Sequence, residues 1–192
     1  MAVFANSGQI CSAGTRMFVE QKVYDEFTER VGKFGNGLRV GSGLDPETQI
    51  GPLVSEQQLQ RVTGYLRAAK QEGARTITGG ERLTEGPMAK GFFVPPTVFA
   101  GARDDMRIAQ EEIFGPAISA IPFKDMDELV RRANSTIFGL GSGVWTRDVS
   151  KAHFLAKTIR AGSVWVNCYR AMDPAVPFGG YKMSGYGRES GL

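Results

Sequence analysis

The sequence predicts an α/β protein, a three-layer α/β/α arrangement with a mostly parallel sheet. Three apolar, strand-like segments at 117–123, 140–145 and 163–166 alternate with two amphipathic helical segments in the C-terminal half. Short connections in a strand–helix–strand order favour right-handed crossovers, which make neighbouring strands parallel. We therefore expect these three strands to share one sheet that is covered by helices on both faces.

The first half of the chain predicts shorter elements. A strand at about 16–20 leads into a helix that ends at Gly35-Asn-Gly37, with an apolar stripe formed by Tyr24, Phe27, Val31 and Phe34. Residues 41–54 have the composition of a surface loop. Ser55 and Gln58 form a capping box for a second helix, which should stop at Gly73. Further extended segments are expected at 76–78 and 92–99.

Two helices of the second half carry different signals. Asp125 and Glu128 are three residues apart and cap the first of them. The second ends at Gly162, and its apolar face is formed by Val149, Ala152, Leu155, Ala156 and Ile159. From Tyr169 onward, repeated glycine and proline predict loops rather than regular structure.

Composition limits the function classes. A chain of 192 residues with 42% hydrophobic and 22% charged residues suits one globular domain over residues 1–192. The net charge of +3 is small, and no Lys/Arg cluster is longer than Arg131-Arg132, which argues against binding to nucleic acid or to an anionic membrane. There is no membrane-length apolar run and no leader pattern, so we expect a cytoplasmic protein. One histidine and two distant cysteines argue against a metal site and a redox pair.

Cys11 lies in a setting that suits a nucleophile. It is surrounded by small residues, with Gly8 and Gly14 on either side and an apolar strand-like run at 17–19. Glycines let the backbone approach a substrate closely, and the backbone N–H of the cysteine could face a developing oxyanion. A lone cysteine is more often a small buried hydrophobe, so this pattern alone leaves both interpretations open.

Three later segments make the interpretation more specific. They are Gln-Glu-Glu-Ile-Phe-Gly-Pro at 110–116, Val-Trp-Val-Asn-Cys-Tyr at 164–169 and a glycine-rich stretch at 177–189. Together with residues 4–16, they resemble the catalytic domain of the NAD(P)-dependent aldehyde dehydrogenases. The resemblance covers essentially the whole chain, with the segments in the expected order and at plausible intervals.

This resemblance implies a role for each matching residue. Cys11 would attack the aldehyde carbon as a thiolate, giving a thiohemiacetal and then a thioester that is hydrolysed to a carboxylic acid. Glu112 would accept hydrogen bonds from the nicotinamide ribose, and Phe114 would pack near that ribose. Asn167 would orient the backbone around the Cys11 loop. The substrate pocket would be lined by Tyr169, Arg170, Met172 and Phe178.

Three other residues with reactive or ionisable side chains are not expected to take part in the chemistry. We expect Glu111 to be structural, Cys168 to be buried and inert, and His153 to face solvent on a helix. In the family, a strand from a neighbouring subunit pairs with the catalytic sheet, which the resemblance places near 163–166. Without that strand the edge would be open, so we expect a homo-oligomer.

Some parts of a complete dehydrogenase are not found in the sequence. No strand is followed by a G-x-G-x-x-G fingerprint, so the chain resembles a truncated catalytic domain whose cofactor domain is absent. The small-molecule aldehyde and the choice between NAD and NADP are left open, and the isolated chain is expected to be inactive. Two alternatives are a cysteine-dependent hydrolase or acyltransferase and a non-catalytic, truncated interaction module.

Overall fold

The computed structural model describes residues 2–191, which form two compact units. One comprises Val3–Phe123, and the other begins at Lys124. Both contain strands and helices, which confirms the α/β class. The units are described in turn.

The first unit is built on a four-stranded mixed sheet in the order β1-β4-β3-β2. The central strand β4 pairs in parallel with β1 on one side and with β3 on the other, and β2 is antiparallel to β3. The predicted positions of β1, β2 and β4 are confirmed to within one residue, whereas the extended segment predicted at 92–99 overlaps β3 only at 97–99. Their bounds are Arg16–Glu20 (β1), Arg75–Thr78 (β2), Thr97–Ala100 (β3) and Ala117–Phe123 (β4).

The expectation of one sheet containing 117–123, 140–145 and 163–166 is wrong. β4 belongs to the sheet of the first unit, whereas the other two segments form a separate parallel pair in the second unit. The reason lies in backbone hydrogen bonding. Both edges of β4 are already occupied by β1 and β3, so neither edge is free to pair with a strand from the second half.

The first unit has two long helices, and the signals at their ends were predicted correctly. Ser55 caps α2, because its side-chain oxygen accepts a hydrogen bond from the Gln58 backbone N–H at 3.2 Å. Gly73 follows the end of this helix with a positive φ of 92°. The helices are Tyr24–Asn36 (α1), Glu56–Gln71 (α2) and the single turn Arg107–Gln110 (α3).

The apolar stripe predicted for α1 is partly wrong. Phe27 and Phe34 are 45% and 49% exposed, and the buried face is instead formed by Tyr24, Thr28, Gly32 and Gly35. The tyrosine hydroxyl donates a hydrogen bond to the Ala120 carbonyl oxygen at 2.8 Å. The glycines allow the helix to lie close to its neighbours, which rotates the larger phenylalanines outward.

The second unit contains two short helices and two small sheets. Asp125 caps α4 through a 2.8 Å hydrogen bond from the Glu128 backbone N–H, as predicted. β6 and β7 are parallel, and β5 and β8 are antiparallel. The bounds are Met126–Ala133 (α4), Val149–Thr158 (α5), Phe138–Gly139 (β5), Gly141–Val144 (β6), Ser163–Val166 (β7) and Tyr181–Lys182 (β8).

The helices can be compared with the length that a membrane-spanning helix needs, about 20 residues. The longest helix in residues 2–191 is α2, with 16 residues. No helix in this described part combines the length and the apolar character needed to cross a bilayer.

Candidate active site

Cys11 lies on an anchored loop before β1. Its side chain is exposed, and its thiol is free. Two side chains of the same loop hold it in place: the Ser7 hydroxyl donates to the Gly51 carbonyl oxygen at 2.8 Å, and the Gln9 side-chain oxygen accepts from the Val54 N–H at 2.9 Å. The nucleophile candidate is therefore open to solvent while its backbone is tied to the segment before α2.

The backbone of this loop takes an unusual conformation. Asn6, Ser7 and Gly8 all have positive φ, at 50°, 55° and 73°. A Cβ on Gly8 would lie 2.0 Å from the carbonyl oxygen of Gly115, which only glycine avoids. The Cys11 loop is thus in direct contact with the segment that contains Glu112 and Phe114.

Glu112 and Phe114 lie on the connection between α3 and β4. Glu112 is exposed, and its backbone carbonyl oxygen accepts a hydrogen bond from Arg61. Phe114 is half-buried and has a φ of 57°, a left-handed conformation that is unusual for an aromatic residue. Arg61 therefore holds the backbone at Glu112, while the Glu112 carboxylate stays accessible to solvent.

One face of α2 supplies contacts to this connection that the sequence analysis missed. The Gln58 side-chain amide donates to the Phe114 carbonyl oxygen at 2.7 Å, and Arg61 binds the carbonyl of Glu112. Tyr65 lies one turn further along the same face. The spacing of 58, 61 and 65 is a helical face of polar and aromatic residues, and this is the only signal that could have indicated a shared role.

Glu111 has the structural role that was expected. Its carboxylate accepts two hydrogen bonds from Arg107, both of 3.0 Å, and one from the Tyr65 hydroxyl of 2.8 Å. The bond from Arg107, followed by that from Tyr65, lowers the pKa of the Glu111 carboxyl. Burial, together with the bond to Glu111, raises the pKa of Tyr65. The guanidinium groups of Arg61 and Arg107 lie 5.4 Å and 5.0 Å from the Tyr65 ring centre.

The other predicted site residues belong to the second unit. Asn167 follows β7 with a φ of 55°. Its side chain accepts from the Thr146 N–H and donates to the Thr146 carbonyl oxygen, both at 2.9 Å. Asn167 thus orients backbone at the end of β6, and its predicted action on the Cys11 loop stays a prediction.

Tyr169 lies between two tryptophans. Its ring is stacked on Trp145 at 6.1 Å and tilted against Trp165 at 5.0 Å. Burial raises the pKa of the Tyr169 hydroxyl to about 12. The Trp165 indole N–H donates to the Ala171 carbonyl oxygen at 2.9 Å, which fixes the chain just beyond the tyrosine.

The remaining predicted pocket residues follow on the same glycine-rich tail. Arg170 is exposed and has a φ of 59°, and Met172 is 57% exposed. Phe178 is half-buried, and its backbone exchanges hydrogen bonds of 2.7 Å and 2.8 Å with Glu189. The phenylalanine is therefore held by a short two-residue bridge within the tail.

The prediction that Cys168 is buried is wrong, because the structure shows it exposed. β7 ends at Val166, and the left-handed Asn167 turns the chain away from the strand. Cys168 therefore lies in the loop beyond β7, two residues after the exposed Val166. His153 is exposed on α5, as expected.

The first unit therefore brings a thiol and a carboxylate onto two adjoining loops. Cys11 and Glu112 are both exposed, and the loops that carry them meet at the contact between Gly8 and Gly115. A thiol suits nucleophilic attack on a carbonyl carbon, and a carboxylate suits acceptance of hydrogen bonds from hydroxyls. Within residues 2–191, no three side chains of His, Cys, Asp or Glu are grouped to hold a metal ion.

Comparisons with known proteins show which family the chain is similar to. The sequence pattern of the aldehyde dehydrogenase family matches residues 1–192. The chain is 49% identical to a betaine aldehyde dehydrogenase of Mesorhizobium japonicum over 98% of its length, and 44% identical to aldehyde dehydrogenase 1 of Tanacetum cinerariifolium over 100%. An aldehyde dehydrogenase of Bacillus cereus, solved as an NAD+ complex, is 46% identical over 99% of the chain, with a TM-score of 0.94.

The matched region is only part of each relative. It spans 39% of the Mesorhizobium protein, 38% of the Tanacetum protein and 38% of the Bacillus cereus chain. The chain is therefore similar, over nearly all of its length, to one portion of these longer relatives.

Proposed function

The chain belongs to the aldehyde dehydrogenase family, and on this premise we propose that it forms the catalytic-domain portion of an aldehyde dehydrogenase. That enzyme would oxidise an aldehyde to a carboxylic acid with NAD or NADP. The observation that carries the proposal is the exposed Cys11 on a loop that contacts the Glu112–Phe114 connection.

In the proposed reaction Cys11 is the nucleophile. Its thiolate forms a bond to the aldehyde carbon, and the π electrons of the carbonyl move to oxygen, where the Cys11 backbone N–H can stabilise the charge. Loss of hydride from that carbon restores the carbonyl as a thioester. Attack by water then releases the carboxylic acid and regenerates the thiolate.

The residues of the first unit fit one part of a nicotinamide cofactor. When bound, the cofactor supplies the acceptor for the hydride. The exposed carboxylate of Glu112 can accept hydrogen bonds from ribose hydroxyls, and its backbone is fixed through Arg61. Phe114 offers an aromatic surface beside it. The chain spans 38% of the Bacillus cereus relative. We therefore propose that residues outside this chain supply most contacts to the cofactor in a complete enzyme, and that the isolated chain is inactive.

We assign the substrate pocket to Tyr169, Arg170, Met172 and Phe178, with Asn167 as a positioning residue. The support is that hydrogen bonds hold the backbone next to these residues: the Asn167 side chain accepts from the Thr146 N–H, and the Trp165 indole N–H donates to the Ala171 carbonyl oxygen. A pocket wall needs such fixed side chains to orient a small aldehyde. The exposed Met172 supplies an apolar contact and Arg170 a polar one.

Cys11 is expected to react with iodoacetamide at least about threefold faster than Cys168, because the glycines and small residues of its loop leave the sulfur open to the reagent. Both thiols are exposed, so a difference between their alkylation rates would not be caused by burial of one of them. The rate for each cysteine is measured by peptide mapping of the native chain. Equal rates, or faster labelling of Cys168, would contradict the assignment of Cys11 as nucleophile.

We also propose that the chain self-associates through the edge of β7. In residues 2–191, β6 is the only strand that pairs with β7, which leaves one row of backbone donors and acceptors available to another chain. Trp165 is 9% exposed, whereas Val166 is 37% exposed. The outward contact is therefore assigned to Val166.

Val166→Lys is expected to weaken this association roughly tenfold, because a lysine on an edge strand opposes pairing. Light scattering over a range of concentrations gives the dissociation constant. The matched control is Leu44→Lys in the first unit, at a position that is 96% exposed. A wild-type chain that stays at its monomer mass of 20.8 kDa at high concentration would rule out the proposal.

A further inference from the structure

We propose that Gln58 is a positioning residue that holds the Glu112–Phe114 connection in register with the Cys11 loop. It acts through its side-chain amide, which donates to the Phe114 carbonyl oxygen at 2.7 Å and to the Ile113 carbonyl oxygen at 3.4 Å. The inference rests on the proposed function, in which Cys11 and Glu112 act at one site.

Gln58 binds the connection where its backbone conformation is unfavourable. Phe114 has a φ of 57°, and its Cβ makes this left-handed backbone unfavourable. Such a conformation persists only where the surroundings fix it. The two carbonyls bound by Gln58 are those of Phe114 and of the residue before it, so the amide acts at the strained point itself.

Two other side chains of α2 contact this connection from the same face of the helix as Gln58. Arg61 binds the Glu112 carbonyl oxygen, and the Tyr65 hydroxyl binds the Glu111 carboxylate. Residues 58, 61 and 65 are neighbours along a helix because of its 3.6-residue period. None of these bonds uses the Glu112 carboxylate, so the connection is fixed while that group stays available.

The same connection also contacts the loop that carries Cys11. A Cβ on Gly115 would lie 2.6 Å from Val62 Cγ2, and Gly8 abuts the Gly115 carbonyl. Gln9 is bound to Val54, just before the cap of α2. The helix and the residues preceding it therefore contact both loops, and a loosened Gly115 would remove one support of the Cys11 loop.

The test is hydrogen exchange on the full chain with Gln58→Met, which keeps the side-chain length and removes the donor. Loss of the Gln58 side-chain hydrogen bonds to Phe114 and Ile113 is expected to speed exchange about fivefold in a peptide covering 111–116. Exchange in 163–166 should be unchanged, since that segment belongs to the second unit. Gln57→Met is the matched control, because Gln57 is exposed on the first turn of the same helix.

A conservative variant separates positioning from general loss of stability. Gln58→His keeps an N–H donor at similar reach and is expected to restore most of the protection in 111–116. The alkylation rate of Cys11 should change in Gln58→Met and return toward the wild-type value in Gln58→His, with the rate of Cys168 constant throughout. A purely structural role would not produce this pattern.

Several outcomes would overturn the proposal. Unchanged exchange at 111–116 in Gln58→Met is one, and an equal rise throughout the chain is another. If Gln58→Met does not fold, Gln58→His decides: wild-type protection supports the proposal, and lost protection contradicts it. These readouts need no cofactor, so they can fail separately from the roles proposed for Cys11 and Glu112, which the relative alkylation of the two cysteines tests.

Discussion

Replacing Cys11 by alanine is expected to abolish aldehyde oxidation when this chain is placed in a complete enzyme. The Bacillus cereus relative is a suitable host, since the chain covers 38% of it with a TM-score of 0.94. Without the sulfur, no thiohemiacetal forms, and the rate should fall by about 10⁴-fold or more. Production of reduced cofactor, followed by absorbance, measures the loss in the purified chimera.

Two further variants of the chimera make this result specific. Cys168→Ala removes the other exposed thiol and should retain oxidation, because the proposal gives Cys168 no chemical role. Glu112→Gln should slow hydride transfer while the alkylation rate of Cys11 stays the same. Full activity of Cys11→Ala, in a chimera that is itself active, would disprove the nucleophile assignment.

Local signals in the sequence predicted the elements well, because those signals act over a few residues. The cap at Ser55, the end of α2 at Gly73 and the cap at Asp125 all follow from short-range chemistry. The strand at 117–123 was predicted with its observed bounds. Short-range patterns are sufficient for such features, since the hydrogen bonds involved are themselves local.

Pairing between strands could not be predicted in the same way. The strand at 117–123 was expected to join those at 140–145 and 163–166, but both of its edges are occupied by β1 and β3. The exposure of Phe27 has a similar origin, because close packing at Gly32 sets which face of α1 is buried. These outcomes depend on partners that are distant along the chain.

The candidate site also contains features that the sequence predicts and features that it does not. Cys11 and Glu112 lie in recognisable motifs, so sequence alone could single them out. The contact of Gln58 with Phe114 spans 56 positions and ends on a backbone carbonyl, which any residue possesses. No residue type on the receiving side marks such a contact. The sequence therefore predicts the helix, but its contact with the site is visible only in three dimensions.

Gly8→Ala is expected to destabilise the first unit strongly. The new Cβ would lie 2.0 Å from the Gly115 carbonyl oxygen and 2.2 Å from its carbon, and the φ of Gly8 is 73°. A backbone group cannot rotate away as a flexible side chain can, so the strain and the overlap together should cost about 3 kcal/mol or more. Urea denaturation measures the change in the free energy of unfolding.

Gly64→Ala is the matched control for this change. Gly64 lies within α2, and a Cβ there would meet nothing within 4 Å. Alanine should therefore stabilise the helix by up to about 1 kcal/mol, the opposite sign from Gly8→Ala. If the Cys11 loop instead moves to relieve the overlap, Gly8→Ala should retain stability but change the alkylation rate of Cys11. Wild-type stability together with a wild-type alkylation rate would show that Gly8 and Gly115 are not in contact, and the link between the two loops would be lost.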